Sequence, residues 1–485
     1  MDSFEGLSRS LSDAIADDPS RFAIEAEKFI NVDPTYIHGL FQGLRKALDN
    51  KREFEWAPVI RLMKWVVKQN REIPGRIAGH SWDADPDWGW SRTDIARLLE
   101  TGFNSEANQI PYSLNEIVWE TLLPITEDPD PTTEMESKTS MDPATYSINN
   151  TRGTAFHSMI SYALWKKKNL LIGTNKEPFE VTFSDIPEVY AVLEKHLDTS
   201  FDTSTAIRAV YGWRYPNLAY LDHEWAANRN EQIFPKNKEA IKYFNAAWSA
   251  FIGFNHPNIS YIQDLLSEYL YSITLIGVVD LQIGWGTNPY ENLAEHLIVY
   301  FALNMIQLDS EIMKSFWSKA NPQLRNHALS FIGRNGKDAS KVMIKRFVKL
   351  WNSRLVIATI ENDNTQYAEE LKAFGWWFVS ELFDDDWCLG ELEKVLQITG
   401  EIDKENQVIE RLAYLSTKYP LQTVSLVERM IEGVDKGRKI YRWKLDVKKI
   451  LSNALESENA EAHKTAKDLI NKLAACGYAD FAFLL

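Results

Sequence analysis

Cysteine is nearly absent. Cys388 and Cys476 are the only two in 485 residues, too few for a disulfide scaffold or a Cys-based zinc site. This usage fits a reducing compartment, and the cytoplasm is the expected location. Long apolar runs are missing as well. The stretch "LYSITLIGVV" (270–279) stops at Asp280, short of a bilayer span. The first 20 residues lack the basic start and apolar block of a signal peptide. Basic residues are in deficit, 53 against 68 acidic, giving a net charge of −15. That balance repels phosphate backbones and anionic lipid, so nucleic acid and membrane surfaces are disfavoured partners.

Catalytic signatures are scarce too. No GxxxxGK[ST] occurs, and "GRNGKDAS" (333–340) lacks both the upstream glycine and the hydroxyl of a phosphate loop. Neither HExxH nor GxSxG is present, and "DHEWAAN" places no second histidine one turn after His223. No cofactor is expected.

Material for a large core is abundant, with 17 Trp, 19 Tyr and 23 Phe. Its spacing is helical. In "DASKVMIKRFVKLWNSRL", Ile344, Phe347, Val348, Trp351 and Leu355 share one face, and "WAPVIRLMKWVV" repeats the device through Val59, Ile60, Met63, Val66 and Val67. Similar segments recur from 19–30 to 459–476, among them one at 309–334, and a single alternating stretch, "FEVTF" (179–183), reads as a strand. Helices on short connections, without βαβ alternation or a fixed period, predict an all-α chain. The expected architecture is an irregular α-solenoid of stacked, HEAT/TPR-like helix pairs. The expected divisions are an N-terminal helical segment (1–123), an acidic Pro-rich linker or loop (124–150) and a helical-repeat region (151–485).

Two stretches could carry chemistry. In "HSWDADPDWGWSRTDIARLL" (80–99), Asp83, Asp85 and Asp87 alternate like the opening of a calcium loop. Trp88 stands where that loop needs glycine, and Pro86 stiffens it. The better reading is the start of a helix capped by Ser91, with Asp94 favouring its dipole and Trp88 and Trp90 packing the approach. No metal is expected. In "RGTAFH", Arg152 and His157 have an R-x4-H spacing that resembles HEPN-type ribonucleases, in which the cation stabilises charge on the scissile phosphate and the imidazole assists proton transfer. Gly153 departs from that pattern, and the structural alternative has Arg152 holding a loop and His157 partly buried.

Several phrases occur in order: "PDWGWSRTDIARLLETGF", "INNTRGTAFHSMISYAL", "AIRAVYGWRYPNLAYLD", "IFPKNKEAIKYFNAAWSAFIGFNHP", "NLAEHLIVYF", "RNHALSFIGR" and "FGWWFVSELFDDDWCLGELE". Over approximately residues 80–435 the chain resembles the C-terminal helical region of large bacterial STAND-class, Avs-type antiphage NTPases. The resemblance implies a non-catalytic sensor region that binds a phage structural or packaging protein. It implies also that this chain is the recognition part alone, either an excised C-terminal segment or a shortened paralogue. In such relatives the "RG" pair is followed by aliphatic and acidic residues, which makes Arg152–Gly153 architectural. Interface hot spots favour Trp, Tyr and Arg, so Trp213, Arg214, Tyr215, Trp285 and Tyr290 are the expected contact residues. Two alternatives stand beside this one: a ribonuclease built on Arg152 and His157, and a general helical-repeat scaffold.

Overall fold

Helix starts are set by side-chain acceptors. Asp33 accepts from Thr35 N at 3.0 Å and opens the helix Pro34–Asp49. Asn150 accepts from Gly153 N at 2.7 Å at the start of Thr151–Leu171. Asn321 accepts from Leu324 N at 2.8 Å and opens Pro322–Asn335. Each gives a partner to a first-turn donor that has none within the helix, and proline at the first position forfeits no bond.

The computed structural model describes residues 3–76, 84–281, 283–284, 288–360, 365–432 and 436–485. Among the described residues the chain is all-α. No strand forms, and one isolated antiparallel bridge joins Glu72 to Asp87. No described helix is long and apolar enough to cross a membrane.

Packing divides the chain into two compact units. The first comprises Met1–His256, Ser260–Glu268 and Leu281–Pro289; the second comprises Pro257–Ile259, Tyr269–Asp280 and Tyr290–Leu485. In the first unit, Phe4–Asp17 packs on Pro34–Asp49, which packs on Gly89–Asn104, which packs on Thr151–Leu171. Trp56–Val67 contacts Asn115–Thr126, and that helix also reaches Thr151–Leu171. In the second unit, Pro322–Asn335 lies against Thr365–Leu371 and Phe374–Val379. The core beneath is aromatic: Trp351 stands 4.6 Å from Phe374 and 5.5 Å from Trp377, ring centre to ring centre.

Four expectations are corrected. Residues 124–150, read as a linker or loop, belong to the first unit and carry the helices Thr133–Lys138 and Pro143–Ser147. Glu136 turns inward: it accepts from Thr205 N and Ala206 N, both at 3.1 Å, holding the start of helix Thr205–Trp213. "FEVTF" is not a strand. Glu180 and Asp185 fold back on Glu177 N (2.7 Å) and Thr182 N (3.1 Å), closing two short 3-10 turns. The segment 309–334 is two helices, because Asn321–Pro322 starts a new one after Glu311–Lys319. Ser91 is no cap: the helix begins at Gly89, and the buried Ser91 hydroxyl donates to the Pro34 carbonyl at 3.2 Å.

Candidate functional site

The first unit contains a cleft of about 1460 Å³, lined from the helices Pro34–Asp49 and Gly89–Asn104, the segment 70–76 and Asp130. At its wall His38 sits between two buried carboxylates. Its Nδ1 lies 3.2 and 3.3 Å from the Asp85 oxygens, and its Nε2 is 3.4 Å from Asp94 Oδ2. Gln42 Nε2 donates to His38 Nε2 at 2.7 Å and to Asp94 Oδ2 at 3.1 Å. Neutral His38 satisfies this chain with Nδ1–H on Asp85 and Nε2 accepting from Gln42. A second proton, on Nε2, faces Asp94 and requires the Gln42 amide to turn its oxygen inward. Burial opposes that proton, but the hydrogen bond and charge of Asp85, then the charges of Asp94 and Glu5, outweigh it and raise the His38 pKa.

Arginines fix the cleft's shape. Arg71 pairs with Asp87 at 3.1 Å and with Asp128, while Arg92 reaches the other Asp128 oxygen at 2.8 Å. The Asp128 side chain is 0% exposed. Arg76 pairs with Asp33 and donates to the Asp85 carbonyl at 2.6 Å. Trp88 N donates to Arg71 O at 2.9 Å, extending the Glu72–Asp87 bridge. Beside this framework Trp90 stands 54% exposed, its ring edge-on to His38 at 5.7 Å. Trp88 turns inward against Trp65.

Asp85 and Asp87 of the stretch 80–99 therefore serve protein partners. Asp85 holds His38 and takes Thr35 Oγ1 on its backbone N–H at 2.9 Å; Asp87 holds Arg71 and accepts from Gly89 N at 2.7 Å. Asp83 lies outside the described residues. Asp94 faces His38 and Gln42. Among the described residues, no group of three or more His, Cys, Asp or Glu could hold a metal ion.

Arg152 and His157 have separate partners. Arg152 donates to the carbonyls of Asp128 (2.9 Å) and Pro131 (3.0 Å) and pairs with Asp202 at 3.2 Å. Burial opposes ionisation of Asp202, but His196 at 2.7 Å and Arg152 hold its pKa below the usual value. His157 is buried, accepts at Nδ1 from Arg214 Nε at 2.9 Å, and so donates from Nε2 to Ser147 Oγ at 3.0 Å. Ser147 in turn donates to Ala144 O at 2.7 Å, and Arg214 donates to Glu100 at 2.6 Å. Both imidazole nitrogens are thus engaged within the protein, and Arg152 and His157 share no partner.

Burial and the Arg214 charge hold the His157 pKa well below its ordinary value. The unfolded chain then binds a proton below pH 6.5 that the folded chain does not. Stability contributed by neutral His157 is present above pH 6.5 and falls by about 1.4 kcal/mol per pH unit below it. His38 has the opposite sign: its contribution is full below pH 6.5 and is lost as pH rises through its raised folded value. The variant His157→Gln should be less stable at neutral pH but should lose less between pH 7 and 5 than the wild type. Urea midpoints measured across that range check this, and parallel curves would contradict it.

The described aromatic candidates are engaged with other parts of the protein. Tyr215 is buried, its hydroxyl donating to Asn230 Oδ1 at 2.7 Å. Trp213 stacks on Phe254 at 3.8 Å and meets His157 edge-on at 5.0 Å. Arg214 is engaged as above. Tyr290, in the second unit, donates to Val279 O at 2.7 Å with Leu275 O at 2.9 Å. Trp285 lies outside the described residues. His38, Gln42, Arg71 and Arg76 were not among the candidates. The one signal near them was the alternation of Asp85 and Asp87.

Comparison with protein-family models, curated proteins and solved structures finds no match.

Proposed function

We propose that this chain is a non-catalytic protein-recognition region whose first unit grips a segment of a protein partner in the cleft beside Trp90. The cleft carries this reading. Its volume of about 1460 Å³ exceeds the roughly 300–1,000 Å³ typical of small-molecule pockets. Its carboxylates and guanidiniums are already held in place, which lowers the ordering cost of binding. Trp90 is an exposed residue of the kind that dominates interface energetics. The succession of helices packed each on the next supports a reading as stacked pairs of an irregular solenoid. The resemblance to antiphage sensor regions supplies the setting: a cytoplasmic defence protein whose partner is a phage structural or packaging protein.

Immobilised wild-type chain should capture one phage-encoded structural or packaging protein from infected cells. Trp90→Ala should weaken that capture by about 30-fold or more, the worth of a hot-spot side chain. Its helical content and melting should stay unchanged. Capture of one host protein from infected and uninfected cells alike would favour a general scaffold. Equal capture by Trp90→Ala would remove the cleft from the account.

A further inference from the structure

The second unit carries a site of different chemistry. A cavity of about 630 Å³ opens beside the helices Glu311–Lys319, Pro322–Asn335 and Lys341–Ile360, lined by Lys314, Trp317, Arg325, Lys349, Arg354 and Tyr367. Behind it lies Glu370, whose side chain is 0% exposed. Arg354 grips Glu370 with Nε at 2.7 Å and Nη2 at 3.1 Å, and Arg325 Nε reaches the second oxygen at 2.5 Å. The Arg354 guanidinium lies over the Trp317 ring at 4.6 Å, and both guanidiniums lie over Tyr367 at 5.3 and 5.9 Å. Carboxylate and aromatic contacts therefore fix the two cations in position.

The site is over-supplied with positive charge. Among the described residues, four cations, Lys314, Arg325, Lys349 and Arg354, meet two carboxylates, Asp309 and Glu370. Lys314 and Lys349 are exposed and form no ion pair with a described residue. Arg354 spends two of its N–H groups on Glu370 and leaves the others without a described partner. Trp317, 7% exposed, backs the Arg354 guanidinium and holds it at the cavity wall.

We infer that the second unit binds a phosphate-bearing small molecule in this cavity. An excess of two positive charges matches the roughly −1.5 to −2 charge of a phosphate monoester at neutral pH. Guanidinium forks and lysine point charges are the side chains that recognise such a group. The volume suits a ligand of nucleotide size. The chain as a whole is strongly acidic, so this cluster is a local reversal of sign. This inference rests on the second unit alone and is independent of the cleft beside Trp90.

Calorimetric titration of the full chain with inorganic phosphate, AMP and ADP tests it. At least one should bind saturably. The double variant Lys314→Glu with Lys349→Glu should weaken binding by about tenfold or more, because two attractions become repulsions. Arg354→Lys, which keeps the charge but loses the guanidinium fork, should weaken it by about threefold to tenfold, the worth of one hydrogen bond. Both variants should keep wild-type helicity. Preference for AMP or ADP over phosphate identifies a nucleotide, and equal binding identifies the phosphate group alone. No saturable binding by any of the three, or binding undiminished in both variants, overturns the inference.

Discussion

Replacing Asp128 with alanine is expected to destabilise the first unit by about 3–5 kcal/mol, because it strands two guanidiniums drawn in around one buried carboxylate. Asp128 accepts from Arg71 on one oxygen and Arg92 on the other, and the first oxygen also accepts from Asp130 N at 3.1 Å. Arg71 and Arg92 are mostly buried themselves, so water replaces the lost charge poorly. The damage should spread to the cleft, since Arg71 also fixes Asp87. Asp128→Asn keeps the shape and one acceptor and should cost less. Denaturant midpoints for both variants, followed on the first unit's transition, measure the difference. A loss below about 1 kcal/mol for Asp128→Ala would place the pair in the class of weak surface bridges.

Gly212→Ala should be nearly as damaging, for a steric reason. Helix Thr205–Trp213 crosses Ile241–Phe254 so closely that a Cβ at position 212 would lie 1.9 Å from the Ala247 carbonyl oxygen and 2.5 Å from its carbon. Backbone cannot change rotamer, so the helices must part. Parting them disturbs the small-residue contact of Ala144, Ala209, Ala246 and Ala250 and the Trp213–Phe254 stack beside it. Overpacking of this kind costs about 1–3 kcal/mol and more where backbone is the obstacle. Gly390 supplies the contrast. It lies exposed within the helix Asp385–Thr399, where an added methyl would meet nothing within 4 Å, and Gly390→Ala should stabilise the second unit by up to about 1 kcal/mol. Thermal melting of the two variants should give shifts of opposite sign.

The sequence disclosed helices where apolar period and cap agree. Asp33–Pro34 announces its helix, and the faces of Trp56–Val67 and Lys341–Ile360 are apolar. The helix Phe4–Asp17 was hidden because its buried face begins with Ser8 and Ser12, and Ser8 Oγ donates to Thr35 O at 2.6 Å. Acid and proline in 124–150 suggested a linker, since composition does not reveal that Asp128 and Glu136 turn inward to arginines and helix N–H groups. The same limit hid the cleft. His38, Arg71, Asp85 and Asp128 meet only through packing of separate elements, and no short spacing encodes that meeting. Interface-like aromatics misled for a related reason: Tyr215 and Trp213 have the chemistry of a hot spot and the position of a core.

Hydrogen exchange on the chain alone and bound to the protein it captures tests the central claim most directly. If the cleft grips the partner, amides in 70–76 and 85–97 should gain protection on binding, and Trp90→Ala should abolish that gain. Protection confined to other segments, with 70–76 and 85–97 unchanged, would contradict recognition through this cleft.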